Sequence, residues 1–166
     1  SSLEDLARGL FANVLDESDE LAPAAVRRVV FCSGKVYFDL LKARRRDAIR
    51  DVALVRIEQL YPFPSDEYAA ALRRYPAARD VVWCQEEPQN QGAWYQIRHR
   101  LQEKLPAGLE LLYAGRPPAA APATGILKIH ELEQAALIEA ALQSEAKEGA
   151  ARETTRLTAT GVRKMS

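Results

Sequence analysis

The stretch Trp83-Cys84-Gln85-Glu86-Glu87-Pro88-Gln89-Asn90-Gln91-Gly92-Ala93-Trp94 is richest in groups that could do chemistry. Two adjacent carboxylates, four side-chain amides, a proline and a glycine lie between the only two tryptophans of the chain. Neighbouring carboxylates repel, so one of Glu86 and Glu87 could hold its proton and act as a general acid while the other acts as a base. Consecutive residues usually point apart, however. The competing reading is interface hydrogen bonding, with the two negative charges set against the positive end of a following helix.

Two other places could hold an anion. Ser33-Gly34-Lys35, where a helix opens, offers backbone N–H groups, a hydroxyl and an ammonium. Its spacing falls far short of a P-loop or a GxGxxG fingerprint, and the alternative is that Gly34 makes the turn and Lys35 is a solvated first-turn residue. Arg116, between Gly115 and two prolines, is a rigidly presented guanidinium suited to a phosphate or carboxylate. Its alternative is an intramolecular pair with Glu86 or Glu87. His99, between Arg98 and Arg100, reads as solvated, and His130 as a residue near the start of the last helix without a partner motif. Cys32 and Cys84 lack a CxxC or metal-ligand spacing and read as small buried hydrophobes. The sequence holds no Ser/His/Asp arrangement, metal-ligand cluster or nucleotide fingerprint.

The elements that must position these groups alternate. Val29 to Cys32 predicts a strand, Lys35 to Arg46 a helix, Val52 to Ile57 a strand, and Ser65 to Tyr75 a helix with Ser65 as N-cap. Val81 to Cys84 and Leu109 to Ala114 predict two more strands, Tyr95 to Leu105 the helix between them. Lys128 to Gln143 predicts a closing helix with Leu132, Ala135, Ala136, Ile138 and Leu142 on one face. Such alternation requires parallel pairing with right-handed crossovers, hence a three-layer α/β domain with a mostly parallel sheet and helices on both faces. Strand order is not legible. The loops at residues 33–35, 58–64, 85–93 and 115–125 all follow strands, so they should gather at one sheet edge, where open α/β sheets meet ligands.

The 166 residues suffice for one domain with a real core, and Lys+Arg and Asp+Glu balance at 23 each. That balance gives no electrostatic footprint for nucleic acid or an acidic membrane. No apolar run is long enough to span a bilayer, so the chain is expected to be soluble and intracellular. Residues 1–25 read as a lead-in segment or linker, 26–143 as the α/β domain and 144–166 as a flexible or appended tail.

Four strings carry more than their composition: Cys32-Ser33-Gly34-Lys35-Val36-Tyr37-Phe38-Asp39-Leu40, then Val55 to Pro64, then Trp83 to Trp94, then Tyr113-Ala114-Gly115-Arg116-Pro117. In this order and spacing, from about Ser1 to Leu142, they resemble the carboxyl-terminal, transketolase-like domain of the thiamine-diphosphate-dependent first component of 2-oxoglutarate dehydrogenase. The closely related 2-oxoadipate enzymes share the motifs. The resemblance implies the third α/β domain of a large decarboxylating subunit that passes a succinyl group to the lipoyl arm of a second component in the citric acid cycle. Thiamine diphosphate and magnesium would lie between the preceding domains of a homodimer, in the cytoplasm of a bacterium or the mitochondrial matrix of a eukaryote. The Gly-Asp-Gly signature for the cofactor does not occur here, so the chain alone is expected to bind no cofactor and to have no catalytic residue. The resemblance also implies a dimer interface, with Glu86, Glu87, Asn90, Gln91 and Trp94 as an interface loop near an active site lying elsewhere. An acetyl-coenzyme A or AMP effector site is implied in some members, for which Arg116 is the matching position. Ser33 and Lys35 join it from the helix-terminus argument alone.

Overall fold

The computed structural model describes residues 11–120 and 127–143. Five strands, β1 (Val14–Leu15), β2 (Arg28–Cys32), β3 (Val52–Ile57), β4 (Asp80–Pro88) and β5 (Glu110–Arg116), form one sheet in the order β1-β3-β2-β4-β5. All neighbours are parallel except β1, which pairs antiparallel with the edge of β3. Helices α1 (Val36–Arg46), α2 (Ser65–Arg73), α3 (Trp94–Glu103) and α4 (Leu127–Leu142) make the crossovers and the closing layer. The period-two alternation of the central strands sorts their side chains into two cores. Val29, Phe31, Val55, Val81 and Trp83 pack against Tyr68 and Leu72 of α2 and Ile97 and Leu101 of α3. Val30, Cys32, Leu54, Val82 and Cys84 pack against Leu40 of α1 and Leu137 and Ala141 of α4. Each valine, leucine, isoleucine or phenylalanine among them, once buried, stabilises the fold by about 1.5–3 kcal/mol.

Four expectations are corrected. β4 and β5 continue past their apolar runs, so Gln85 to Pro88 and Gly115-Arg116 are strand, not loop. Pairing resumes at Pro88 with Arg116 after a register shift beyond Cys84, so β4 carries a bulge that hydrophobic periodicity does not signal. Ser65 is the first helical residue rather than the N-cap; Pro64 holds that place, with no side-chain cap bond. Finally, α4 buries Leu137, Ala141 and Leu142, leaving Leu132, Ala135 and Ala136 exposed. The tail at 144–166, like residues 1–10 and 121–126, lies outside the described residues.

The segment before β2 closes the open edge of β3. Beyond the two pairs made by β1, the Glu17 carboxylate accepts the Leu54 N–H at 2.7 Å, and Arg44 Nη1 donates to the Val52 carbonyl at 3.1 Å. Arg44 also donates to the Glu17 carboxylate through both terminal guanidinium nitrogens, Nη1 and Nη2. Their side chains are 4% and 1% exposed. Two side chains thus do along β3 what a longer β1 would do with its backbone.

Asp19 completes this cluster, accepting from Arg45 at 2.5 and 3.0 Å and from Arg44 at 2.8 Å. The Arg45 hydrogen bonds, opposed by burial and aided by Arg44, bring its carboxyl down to about 2. A carboxylate whose folded value is depressed adds stability above its unfolded value, near pH 4, and loses it as pH falls toward 2. Asp19→Asn is therefore expected to flatten the acid limb of a urea-midpoint titration between about pH 4 and pH 2. A variant with the same acid limb as the parent would count against this role.

At the other end of the sheet, Arg28, 8% exposed, pairs with Asp80 and donates to the carbonyls of Ala140 and Ala141. A cation on the last carbonyls suits the negative end of the α4 dipole.

Candidate functional site

β2 and β4 are neighbours whose onward crossovers run to opposite sides, to β3 through α1 and to β5 through α3. Their carboxyl ends flank the topological switch point, where an open α/β sheet presents a ligand crevice. Gly34, at φ +73°, turns the chain from β2 into α1, a conformation that disfavours side chains. Lys35 then crosses the switch point and pairs with Glu86 of β4 at 2.6 Å. Ser33 sits half-buried in the turn.

Glu86 also accepts from Gln134 Nε2 at 3.0 Å, and the same amide reaches Asp39 at 3.1 Å. Arg116, 6% exposed, donates through Nη2 to His130 Nδ1 at 2.9 Å, and its Nε lies 3.4 Å from the Glu133 carboxylate without a hydrogen bond. The guanidinium therefore pairs within the chain, as the alternative reading had it, but with α4 rather than with Glu86 or Glu87. Because Arg116 is the last residue of a strand, its side chain is carried inward under α4 instead of standing out on a loop. Lys35, Glu86, Asp39, Gln134, Arg116, Glu133 and His130 form one polar network that ties α4 to the switch point. His99 is exposed on α3.

The stretch between the tryptophans is organised by Gln85, 3% exposed. Its Oε1 accepts from Trp83 Nε1 at 2.9 Å and from the Trp94 backbone N–H at 3.0 Å. Its Nε2 donates to the carbonyls of Glu87 at 3.1 Å and Pro88 at 3.2 Å. A β-carbon at Gly92 would stand 2.5 Å from Gln85 Cδ and still nearer Nε2, so Gly92 is there to let the carboxamide in. Gly115 makes the matching space for the Tyr113 ring. Trp94, itself 9% exposed, meets Tyr113 with ring centroids 5.1 Å apart. Burial pushes the Tyr113 hydroxyl up to about 12. Asn90 and Gln91, both exposed, converge on one residue: both amides donate to the Ala119 carbonyl, at 3.0 and 2.7 Å, and Asn90 Oδ1 accepts the Ala119 N–H. Glu87 is exposed while Glu86 is engaged by Lys35 and Gln134, so the two carboxyl groups do not converge on a common point.

Gln85 and Gly92 were not among the residues singled out by type and spacing. The one signal that could have found them is the glutamine flanked by tryptophan two residues before and nine after, and a glutamine buried at a strand end is not distinguishable by type from a solvated one. Burial raises the thiols of Cys32 and Cys84, the latter to about 12, so both stay protonated and packed.

An open groove of about 940 Å3 runs between α1 and α4, lined by Asp39, Lys42, Arg46 and Asp47 on one side and by His130, Gln134 and Glu139 on the other. Among the described residues no group of three or more His, Cys, Asp or Glu could hold a metal ion, and no helix is long and apolar enough to cross a membrane.

Residues 1–142 match the family described as 2-oxoglutarate dehydrogenase C-terminal. A 2-oxoglutarate dehydrogenase E1 component of Haemophilus influenzae is 52% identical over 142 residues, covering 86% of this chain and 15% of the relative. One of Cupriavidus necator is 50% identical over 141 residues, covering 85% and 15%. A probable 2-oxoadipate dehydrogenase complex component E1 homolog of Dictyostelium discoideum is 40% identical over 140 residues, covering 83% and 16%. The chain thus spans about 15% of the length of the E1 relatives it matches. Among solved structures, a split gene transketolase described as an inactive beta4 tetramer superposes with a TM-score of 0.51 at 16% identity, over 71% of this chain and 40% of that one. At that identity the likeness speaks for the fold alone.

Proposed function

Since the chain belongs to the 2-oxoglutarate dehydrogenase C-terminal family, we propose that it serves as the carboxyl-terminal domain of a 2-oxoglutarate dehydrogenase first component. The observation that carries this is the match over residues 1–142 at about half identity to E1 components; the 2-oxoadipate relative is more distant. In that subunit the reaction is decarboxylation of 2-oxoglutarate with transfer of the succinyl group to a lipoyl arm of the second component. Thiamine diphosphate supplies the carbanion chemistry there. The work we assign to this chain is positional.

That work rests on rigidity at the carboxyl edge. Gln85 locks both tryptophans, and the network from Lys35 to His130 locks α4. The preceding domains and the homodimer partner would then meet a preformed surface on which Glu87 and, at 92% exposure, Tyr61 stand free. An effector phosphate at this edge would have to draw Lys35 from Glu86, or Arg116 from Glu133 and His130. The test is a chimera in which residues 1–142 replace the carboxyl-terminal domain of the Haemophilus influenzae relative. Decarboxylation of 2-oxoglutarate with thiamine diphosphate and magnesium is expected to survive the exchange and to vanish on deleting the domain. A folded chimera without turnover would sink the proposal.

A further inference from the structure

α4 meets the sheet in two different ways along its length. Its carboxyl half packs through Leu137, Ala141 and Leu142, with Ile138 beside them. No residue from 127 to 136 is buried, and Leu127, Ile129 and Leu132 are exposed. In that amino half the half-buried residues are His130, Glu133 and Gln134. Each is engaged with a polar group of the domain: His130 and Glu133 with Arg116 of β5, Gln134 with Asp39 of α1 and Glu86 of β4. The amino half is thus docked by polar side chains, without the apolar burial that holds the carboxyl half.

One of these contacts depends on a proton. A guanidinium only donates, so the His130 Nδ1 that receives Arg116 Nη2 at 2.9 Å carries none. A protonated ring would have only donors to offer, against a cation that is 6% exposed. It would also place its charge in the first turn of α4, at the positive end of the helix dipole. The other charged groups around the ring are Glu131 and Glu133 on α4, Asp39, Lys42 and Arg46 of α1 across the groove, and Glu86 of β4 beyond Gln134. Asp39 and Glu86 are drawn to Gln134, Glu86 also to Lys35, and Glu133 to Arg116. The charge in direct contact with the ring is therefore Arg116.

We propose that His130 is a pH-sensitive catch: its protonation releases the amino half of α4 from the sheet while the carboxyl half stays packed, and uncovers Arg116 at the end of β5. The docked helix binds one proton fewer than the released one, so docking strengthens as pH rises and weakens as pH falls through the range in which imidazoles charge, about pH 7 to 6. Carboxyl groups titrate near pH 4, below that window. The other of the two histidines, His99, is exposed on α3. This catch does not depend on the enzymatic reading, because every group in it belongs to this chain.

Hydrogen exchange of the 166-residue chain, followed by mass spectrometry at about pH 7.5 and about pH 5.5, tests it, each rate being divided by the intrinsic rate at the same pH. Protection of residues 131–136 is expected to fall about tenfold at the lower pH, and that of residues 137–142 to stay constant. His130→Asn keeps an acceptor oxygen near the place of Nδ1 and does not titrate, so it should stay protected at both values. His130→Lys carries the charge throughout and should be loose at both. Equal protection of residues 131–136 in the parent at the two values overturns the proposal. So does an asparagine variant that loosens in acid as the parent does, or a lysine variant as protected at about pH 7.5 as the parent.

Discussion

Arg44→Met is expected to destabilise the domain by about 3–5 kcal/mol, the cost of breaking a buried ion pair from one side. The Glu17 carboxylate would remain in a site where its side chain is 4% exposed, and the Val52 carbonyl would lose its donor. Against a total stability of about 5–15 kcal/mol this is a large fraction, visible as a fall in the urea midpoint at constant slope. Arg44→Met with Glu17→Gln is expected to be less damaged than Arg44→Met alone. The glutamine oxygen can still accept the Leu54 N–H, and no uncompensated charge remains buried. A cost below about 1 kcal/mol for Arg44→Met would mean that water enters and replaces the guanidinium. Deleting residues 1–25 should imitate the arginine change, because it removes Glu17 and Asp19 together with β1.

Gln85→Leu is the second large effect, at about 2–4 kcal/mol. Leucine fills much of the volume but leaves Trp83 Nε1 and the Trp94 N–H without the acceptor they share, whereas the Pro88 carbonyl keeps the N–H groups of Gln91 and Gly92 and the Glu87 carbonyl keeps the Tyr113 hydroxyl. Buried donors and acceptors left unmet carry the full desolvation penalty, whereas making the bond in the first place contributes less. Since Trp83 and Trp94 are the only tryptophans, their emission reports this node directly. A red shift with altered near-ultraviolet circular dichroism is expected, while far-ultraviolet circular dichroism holds. Gly92→Ala should give the same spectral change, because its methyl group displaces the carboxamide from four bonds at once. Unchanged emission in both variants would show that Gln85 does not hold the tryptophans.

Long-range pairing explains why these two sites were hidden. Glu17 lies in an acidic run, Asp16 to Glu20, that reads locally as a break between elements, and Arg44 sits in a basic run at the end of a helix that reads as solvated. Each has the composition of a surface. Only the two-residue length of β1, which leaves the β3 backbone open beyond it, makes their joint burial worthwhile. The strand ends were hidden for a related reason. Gln85-Glu86-Glu87-Pro88 lacks the apolar alternation of a strand, and its extension is set by β5 pairing across a bulge.

Local apolar runs of four to six residues, separated by helical periods, were enough to determine the alternating α/β class and the parallel pairing of β2 to β5. Four ordered motifs were enough to determine the family. These features depend on side-chain hydrophobicity and short-range spacing, which a chain displays along its length. Strand order, the inward turn of Arg116, the closing of the switch point by Lys35 and Glu86 and the outer face of α4 were decided by tertiary structure alone. Each depends on which groups lie opposite one another after crossovers of tens of residues. A charged or amide side chain looks the same in sequence whether water or a buried partner receives its hydrogen bonds.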